Sequence, residues 1–284
     1  MAGSNQPVFH QFDQSKIDDN KTNYHLSLQL SIDGFCFALF HIDEKRYIGI
    51  GEYQAYSNQS MEPSMIKNIL QSERWLKGNF KSVSCAFYSQ KSTLMPSPLF
   101  DEQEIRTYLS LHTDLVPEDE LYSNALIHAP IRNCFAIPKS WRELIIEHFP
   151  NAKILHIGTT LIESAIQRKT NGIELLLHFQ GVQFNCVVTN NHNLLFHNSF
   201  NYQTSEDVIY YLLYIMEQLG LDPNSIRIYL SGSIINDSAI YKLLYKYILN
   251  IEFIDLPSTV EYSKPIQLAD KHRFYQLIQQ YLCE

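Results

Sequence analysis

Few residues in this chain have the type and spacing to do chemistry. The 11 histidines are scattered. His192 and His197 flank one predicted strand, but they face opposite sides of it and have no carboxylate or cysteine nearby in sequence, so they are not expected to hold a metal. The five cysteines are Cys36, Cys85, Cys134, Cys186 and Cys283. Their number is odd, no CxxC spacing occurs, and the first four lie in apolar strand-like runs. They read as buried reduced thiols that act as small hydrophobes. Asp33, beside Gly34, reads as a turn residue and not as a base. GxSxG, GxGxxG and GxxxxGK[ST] are all absent, which leaves hydrolase, dinucleotide and Walker-type readings without support. No catalytic residue and no metal ligand is expected.

At 284 residues, 45% of them apolar and 18% charged, the chain has room for one large domain or two smaller ones, each with its own core. A formal net charge of -8 argues against general affinity for nucleic acid, which depends on Lys and Arg neutralising phosphates. The N-terminal stretch has no charged start followed by an apolar run, and no later run reaches membrane-spanning length. A cytoplasmic protein is expected.

The elements are clearest around residues 24–54, which read as a three-strand antiparallel meander. Strands are predicted at 26–32 and 35–42, joined by Asp33-Gly34 as a two-residue turn, with a second turn at 43–45. A polar segment, residues 1–22, precedes it as a loose tail or an edge segment. Helical spacing predicts a helix over 63–76, opened by Pro63. A strand at 83–88 follows, then a two-proline loop at 91–100 and a helix from about Asp101. Short strands at 124–129 and 134–137, a helix at 138–148, a strand at 153–157 and a helix at 159–167 complete this half.

The pattern then restarts. Strands at 173–179, 182–189 and 194–200, with turns at Gln180-Gly181 and 190–193, make a second meander. It is followed by a helix at 205–219, a strand at 226–230, the turn Ser231-Gly232-Ser233, a helix to about 249 and a strand at 251–254. The first hairpin, LQLSIDGFCFALF, overlays on LLLHFQGVQFNCVV with glycine at the turn in both. Such a repeat points to two similar α/β halves with a cleft between them and a final helix at 267–282 packing back. The expected division is 1–22, a first lobe 23–168, a second lobe 169–264 and a C-terminal segment 265–284.

This duplicated order resembles the actin-like ATPase superfamily over roughly residues 24–282. The stretch from KSTLMPSP through FAIPKSWRELIIEHFPNAKILHIGTTLIESAI is similar to the actin-like proteins of type IV pilus and type II secretion assembly. The whole chain resembles a bacterial family of unknown function with this fold. The resemblance implies a duplicated actin-like, ribonuclease H-like α/β fold, and ATP held by three turns. The first is Asp-x-Gly-Thr/Ser, where the carboxylate orders hydrated magnesium and the glycine lets backbone N–H groups approach phosphate. Here Gly34 matches the glycine, Ile32 stands at the carboxylate position and Phe35 at the hydroxyl position. In the counterpart turn Gly181 is kept, Phe179 replaces the carboxylate and Val182 follows. The third turn, an apolar strand ending in two glycines, becomes Ser231-Gly232-Ser233. Gly34, Phe35, Gly181, Val182, Ser231, Gly232 and Ser233 are thus vestigial nucleotide positions.

Phosphoryl transfer relies on positioning and on charge placed against the phosphates, and losing one such group commonly costs on the order of a hundredfold or more. No resident cofactor and no ATP hydrolysis are therefore expected. The reading is a degenerate actin-like ATPase serving as a non-catalytic binding or scaffold module, its partner another protein or a second copy, with no membrane span. The alternative is a nucleotide-binding or kinase-like enzyme that uses ATP and magnesium with carboxylates from elsewhere, such as Glu163, Glu206 or Asp237. A different small molecule in the same crevice is a third reading. Tyr210, Tyr211 and Tyr214 on one helix, and Tyr241, Tyr245 and Tyr247 on another, either edge the core or face a partner.

Overall fold

The protein is described by a computed structural model covering residues 6–16, 20–55, 59–168, 172–267 and 269–283. Residues 1–5 and 17–19 of the expected N-terminal segment lie outside the described residues. Two compact units divide the chain: Met1–Thr160 with Pro257–Ala269 and Leu277–Glu284, and Leu161–Leu256 with Asp270–Gln276.

The first unit is built on β1 (Phe9–Phe12), β2 (Tyr24–Leu30), β3 (Gly34–His41), β4 (Arg46–Gln54), α1 (Pro63–Ser72), β5 (Ser82–Phe87), β6 (Ser92–Pro96), α2 (Ile105–Ser110), β7 (Asp119–Ala125), β8 (Ile131–Pro138), α3 (Lys139–His148) and β9 (Lys153–His156). Its main sheet runs β1-β4-β3-β2-β5-β9. A three-stranded sheet, β6-β8-β7, carries α2. The division between the units falls within α4 (Ile157–Gln167), ahead of the expected lobe boundary at 168.

The second unit contains β10 (Ile173–Gln180), β11 (Gln183–Asn190), β12 (Asn193–Asn201), α5 (Ser205–Leu219), β13 (Arg227–Gly232), α6 (Ala239–Tyr247) and β14 (Asn250–Phe253). The chain ends through β15 (Glu261–Tyr262), α7 (Lys264–Gln267) and α8 (Tyr275–Leu282). The sheet order β12-β11-β10-β13-β14 repeats β4-β3-β2-β5-β9 strand for strand. In both, the first strand of the meander lies centrally and two later strands pair parallel beside it; the third strand is the sheet edge in the second unit, whereas in the first β1 and β15 pair with it.

Helix α5 shows why these elements form where they do. Thr204 and Asp207 make a reciprocal capping box, and Gly220, at φ 64°, ends the helix in the left-handed conformation. Val208, Leu212, Ile215 and Met216 line one side and pack on Leu175, Leu177 and Val188 of the sheet, with Leu244 of α6 in the same core. In the first unit Leu26, Leu28 and Leu30 with Phe35 and Phe37 take Ile66, Ile69 and Leu70 of α1 and Leu144 and Ile145 of α3.

Several elements differ from the sequence expectation. The two-proline loop is strand β6, paired with β8 from Ser92↔Phe135 to Pro96↔Ile131. Pro96 is tolerated because β6 is an edge strand and the proline sits at its end. Strand β7 begins at Asp119, five residues before the expected strand, because its side chains are mostly half-buried and carry no apolar alternation. Helix α1 stops at Ser72. Glu73 then accepts the Trp75 backbone N–H and caps a separate 3-10 turn, Arg74–Leu76. The expected final helix is three pieces: α7, a 3-10 turn over Lys271–Phe274, and α8. The N-terminal edge segment is real. β1 pairs antiparallel with one stretch of β4, and β15 pairs parallel with Arg46 and Tyr47 of the same strand.

Candidate functional site

The first candidate turn lies in the first unit. Its two central residues are Ile32 and Asp33, not Asp33 and Gly34, because Ser31 and Gly34 exchange backbone hydrogen bonds (Ser31 N to Gly34 O 2.9 Å, the reverse 3.4 Å). The Ser31 hydroxyl shifts the turn by accepting from the N–H of Gly34 at 3.0 Å and of Asp33 at 3.3 Å. Gly34 is not needed for a positive φ; it is needed because a Cβ there would stand 2.7 Å from Tyr53 O. The turn's carbonyls are also engaged, Asp33 O by Ala55 N at 2.9 Å and Ile32 O by Met61 N at 2.7 Å. Ile32 is exposed, whereas Phe35 is fully buried, its ring 6.0 Å from that of Phe37.

The other two turns lie in the second unit. Gly181, at φ 55°, and Val182 connect the Gln180↔Gln183 pair, a two-residue turn with glycine first. Tyr202 holds this turn: its hydroxyl donates to Gly181 O at 2.7 Å and its N–H to Val182 O at 2.9 Å. Val182 is exposed, and Phe179 is buried against Phe184 with ring centroids 5.6 Å apart. At the end of β13, Ser233 donates to Phe179 O from both its N–H (2.9 Å) and its hydroxyl (3.2 Å). Gly232 permits that contact, since at φ 83° a Cβ would lie 2.0 Å from the same oxygen.

These pairings correct the overlay of the two hairpins. Centred on their turns, Ile32 corresponds to Gly181, Leu30 to Phe179 and Phe35 to Phe184. The two glycines that the sequences align are therefore offset by two residues, which keeps every side chain on its own face.

The sequence reading missed the polar side of each sheet. On β2, His25 bonds the hydroxyls of Ser82 (2.8 Å) and Ser84 (3.1 Å) on the parallel neighbour β5. On β10, His178 bonds Ser231 on the parallel neighbour β13 at 3.0 Å. Burial, together with Lys153 near His25, holds the His25 pKa at about 3, and burial alone holds His178 at about 3. His156, at the end of β9, donates from Nε2 to Ser89 O (2.7 Å), and its Nδ1 accepts the Gly158 N–H (3.0 Å) at the start of α4. Burial lowers it to about 4, against the Ser89 hydrogen bond, which raises it. His192, by contrast, sits at φ 69° in the β11–β12 turn and bonds Ile166 O. Among the described residues no three of His, Cys, Asp and Glu gather as a metal-binding group.

A cavity of about 630 Å³ opens in the first unit where β1 and β15 meet on β4, lined by Asp13, Arg46, Glu261, Ser263 and Lys264 among others. Arg46 pairs there with Glu261 and, at 3.6 Å, with Glu44. Asp13 accepts the backbone and hydroxyl hydrogens of Ser15.

A family model described as "Protein of unknown function (DUF3822)" matches residues 13–251. The chain belongs to that family. No curated protein sequence matches this DUF3822 chain. Its structure is similar to that of a Bacteroides thetaiotaomicron protein with an actin-like ATPase fold and unknown function. The TM-score is 0.77 at 22% identity, over 93% of this chain and 97% of the other. It is also similar to a chain of the PilM-PilN type IV pilus biogenesis complex, with a TM-score of 0.58 at 14% identity, covering 91% and 97%. The DUF3822 chain thus has the actin-like ATPase fold, as two lobes of repeated topology. No described helix is long and apolar enough to cross a membrane.

Proposed function

We propose that this DUF3822 protein is a cytoplasmic, non-catalytic binding module that keeps the actin-like fold without the ATP chemistry. The observation that carries the reading is at the turns. Donors that would have to reach phosphate oxygens are already used internally, Asp33 and Gly34 N–H by Ser31 and Ser233 N–H by Phe179 O. Phe35 and Phe179, at the hydroxyl and carboxylate positions of the resemblance, are core residues. Satisfied donors gain little from a phosphate, because a new hydrogen bond only replaces an existing one. The complex named for the PilM neighbour favours another protein as the partner.

The test is thermal unfolding of the full chain with ATP or ADP at millimolar concentration, with and without magnesium. A ligand at a hundred times its Kd stabilises the folded state by about 2.7 kcal/mol, which a melting curve resolves. The reading expects no shift. A magnesium-dependent rise would overturn it and return attention to Glu163, Glu206 and Asp237 as carboxylate donors.

A further inference from the structure

We infer that the outer face of α5 is the docking surface for a basic helix of a partner protein; this names the partner chemistry of the binding module proposed above and rests on that reading. Four residues, Glu206, Tyr210, Tyr214 and Glu217, recur at helical spacing and are exposed together along this face. Tyr210 is 66% and Tyr214 51% exposed. Their rings stack nearly parallel, 6.4 Å apart and 13° from coplanar. Tyr210 is braced from below, and Tyr214 rests on Tyr210: Tyr210 meets Tyr211 edge-on at 5.6 Å, and Tyr211 packs at 4.7 Å on Phe200 of β12, which stacks on Phe184 at 5.2 Å. Exposed rings held in place by a continuous aromatic column lose little freedom when a partner covers them.

The charges specify what covers them. No Lys, Arg or His occurs anywhere on α5. Glu206 stands in the first turn, where the helix dipole favours a carboxylate, but Glu217 stands in the last turn, where the dipole opposes it. Among the described residues Glu217 forms no ion pair to offset that cost. A cation supplied from outside would do so. The faces of Tyr210 and Tyr214, between two carboxylates about 16 Å apart along the axis, suit guanidinium or ammonium groups, which stack on tyrosine rings and pair with carboxylates. An amphipathic helix with Arg or Lys on the flanks of a short apolar strip has that chemistry.

The experiment is selection of a phage-displayed library of helical peptides on the full-length protein, with counter-selection on Tyr210→Ala/Tyr214→Ala. Selected peptides are then titrated by fluorescence anisotropy against wild type, the double variant and Glu217→Lys. All three positions are exposed, so the variants are expected to melt with the wild type. The inference expects enriched peptides carrying Arg or Lys, at least tenfold weaker binding to both variants, and affinity that falls with added salt. Peptides that bind the variants within twofold, peptides without basic residues, or no enrichment at all would overturn it. Peptides that bind elsewhere remove only the docking face and leave the binding module standing. A nucleotide response in the melting assay removes the module itself.

Discussion

Three buried histidines make stability fall with acid well before the carboxylates titrate. His25 and His178 are held at about 3 and His156 at about 4, against an ordinary value of 6.5. Between those limits the unfolded chain binds protons that the folded chain refuses, so stability rises with pH across the window and is lost as pH falls through it. At pH 5 each histidine costs about 2 kcal/mol, from about 1.4 kcal/mol per pKa unit. The first unit holds His25 and His156 and loses about 4 kcal/mol; the second holds His178 and loses about 2 kcal/mol, against a total of roughly 5–15 kcal/mol for a typical domain. The mechanism is visible at His156, where a proton on Nδ1 would face the Gly158 N–H that Nδ1 now accepts. Glu73 does not confuse the result. Burial raises its pKa, but hydrogen bonds from His10, Tyr53 and the Trp75 N–H outweigh that and hold it at about 2, so its contribution is lost only as pH falls from 4.5 toward 2, below the histidine window assayed.

The assay is urea unfolding at pH 7.5, 6.5, 5.5 and 5.0, followed by tryptophan fluorescence and by far-UV circular dichroism. Both tryptophans, Trp75 and Trp141, are in the first unit, so fluorescence reports that unit alone. With a slope near 2 kcal/mol per molar urea, its midpoint moves down by about 2 M between pH 7.5 and 5.0. His156→Gln cannot charge, and it halves the movement whatever it does to stability at pH 7.5. A fluorescence midpoint unchanged across that range, or a His156→Gln protein with the full acid response, would refute the reasoning.

Gly232→Ala places a side chain at φ 83° against Phe179 O and displaces the Ser233 hydrogen bond. It is expected to cost about 2–3 kcal/mol, combining left-handed strain with one lost bond, and to shift the circular dichroism transition while leaving the fluorescence transition in place. Lys21 is buried, and its ammonium donates to the carbonyls of Arg74, Trp75 and Lys77. Lys21→Met leaves those acceptors uncapped; the expected loss is about 2–3 kcal/mol in the fluorescence transition, with altered Trp75 emission, and an unchanged midpoint would contradict it.

The parts of the fold that were legible in the sequence are those whose signals are local. Thr204, Asp207 and Gly220 bracket α5 to the residue, and the duplicated α/β plan was readable because the same succession of meander, helix and strand occurs twice. What was not legible depends on partners far along the chain. β6 is a strand only because β8, about forty residues later, pairs with it. The first hairpin's register turned on a side chain, Ser31, capturing two amides, which no pattern of apolar residues records. The alternation Tyr24-His25-Leu26-Ser27-Leu28-Gln29 reads as a strand with one wet face, yet every one of these residues is buried. The same alternation serves a solvated face and a polar layer inside the unit. What decides between them is whether hydroxyls such as those of Ser82 and Ser84 stand opposite, and burial then forces the histidine to stay neutral. The acid response of the fold therefore follows from polar residues on its strands, His25, His156 and His178, which burial holds neutral.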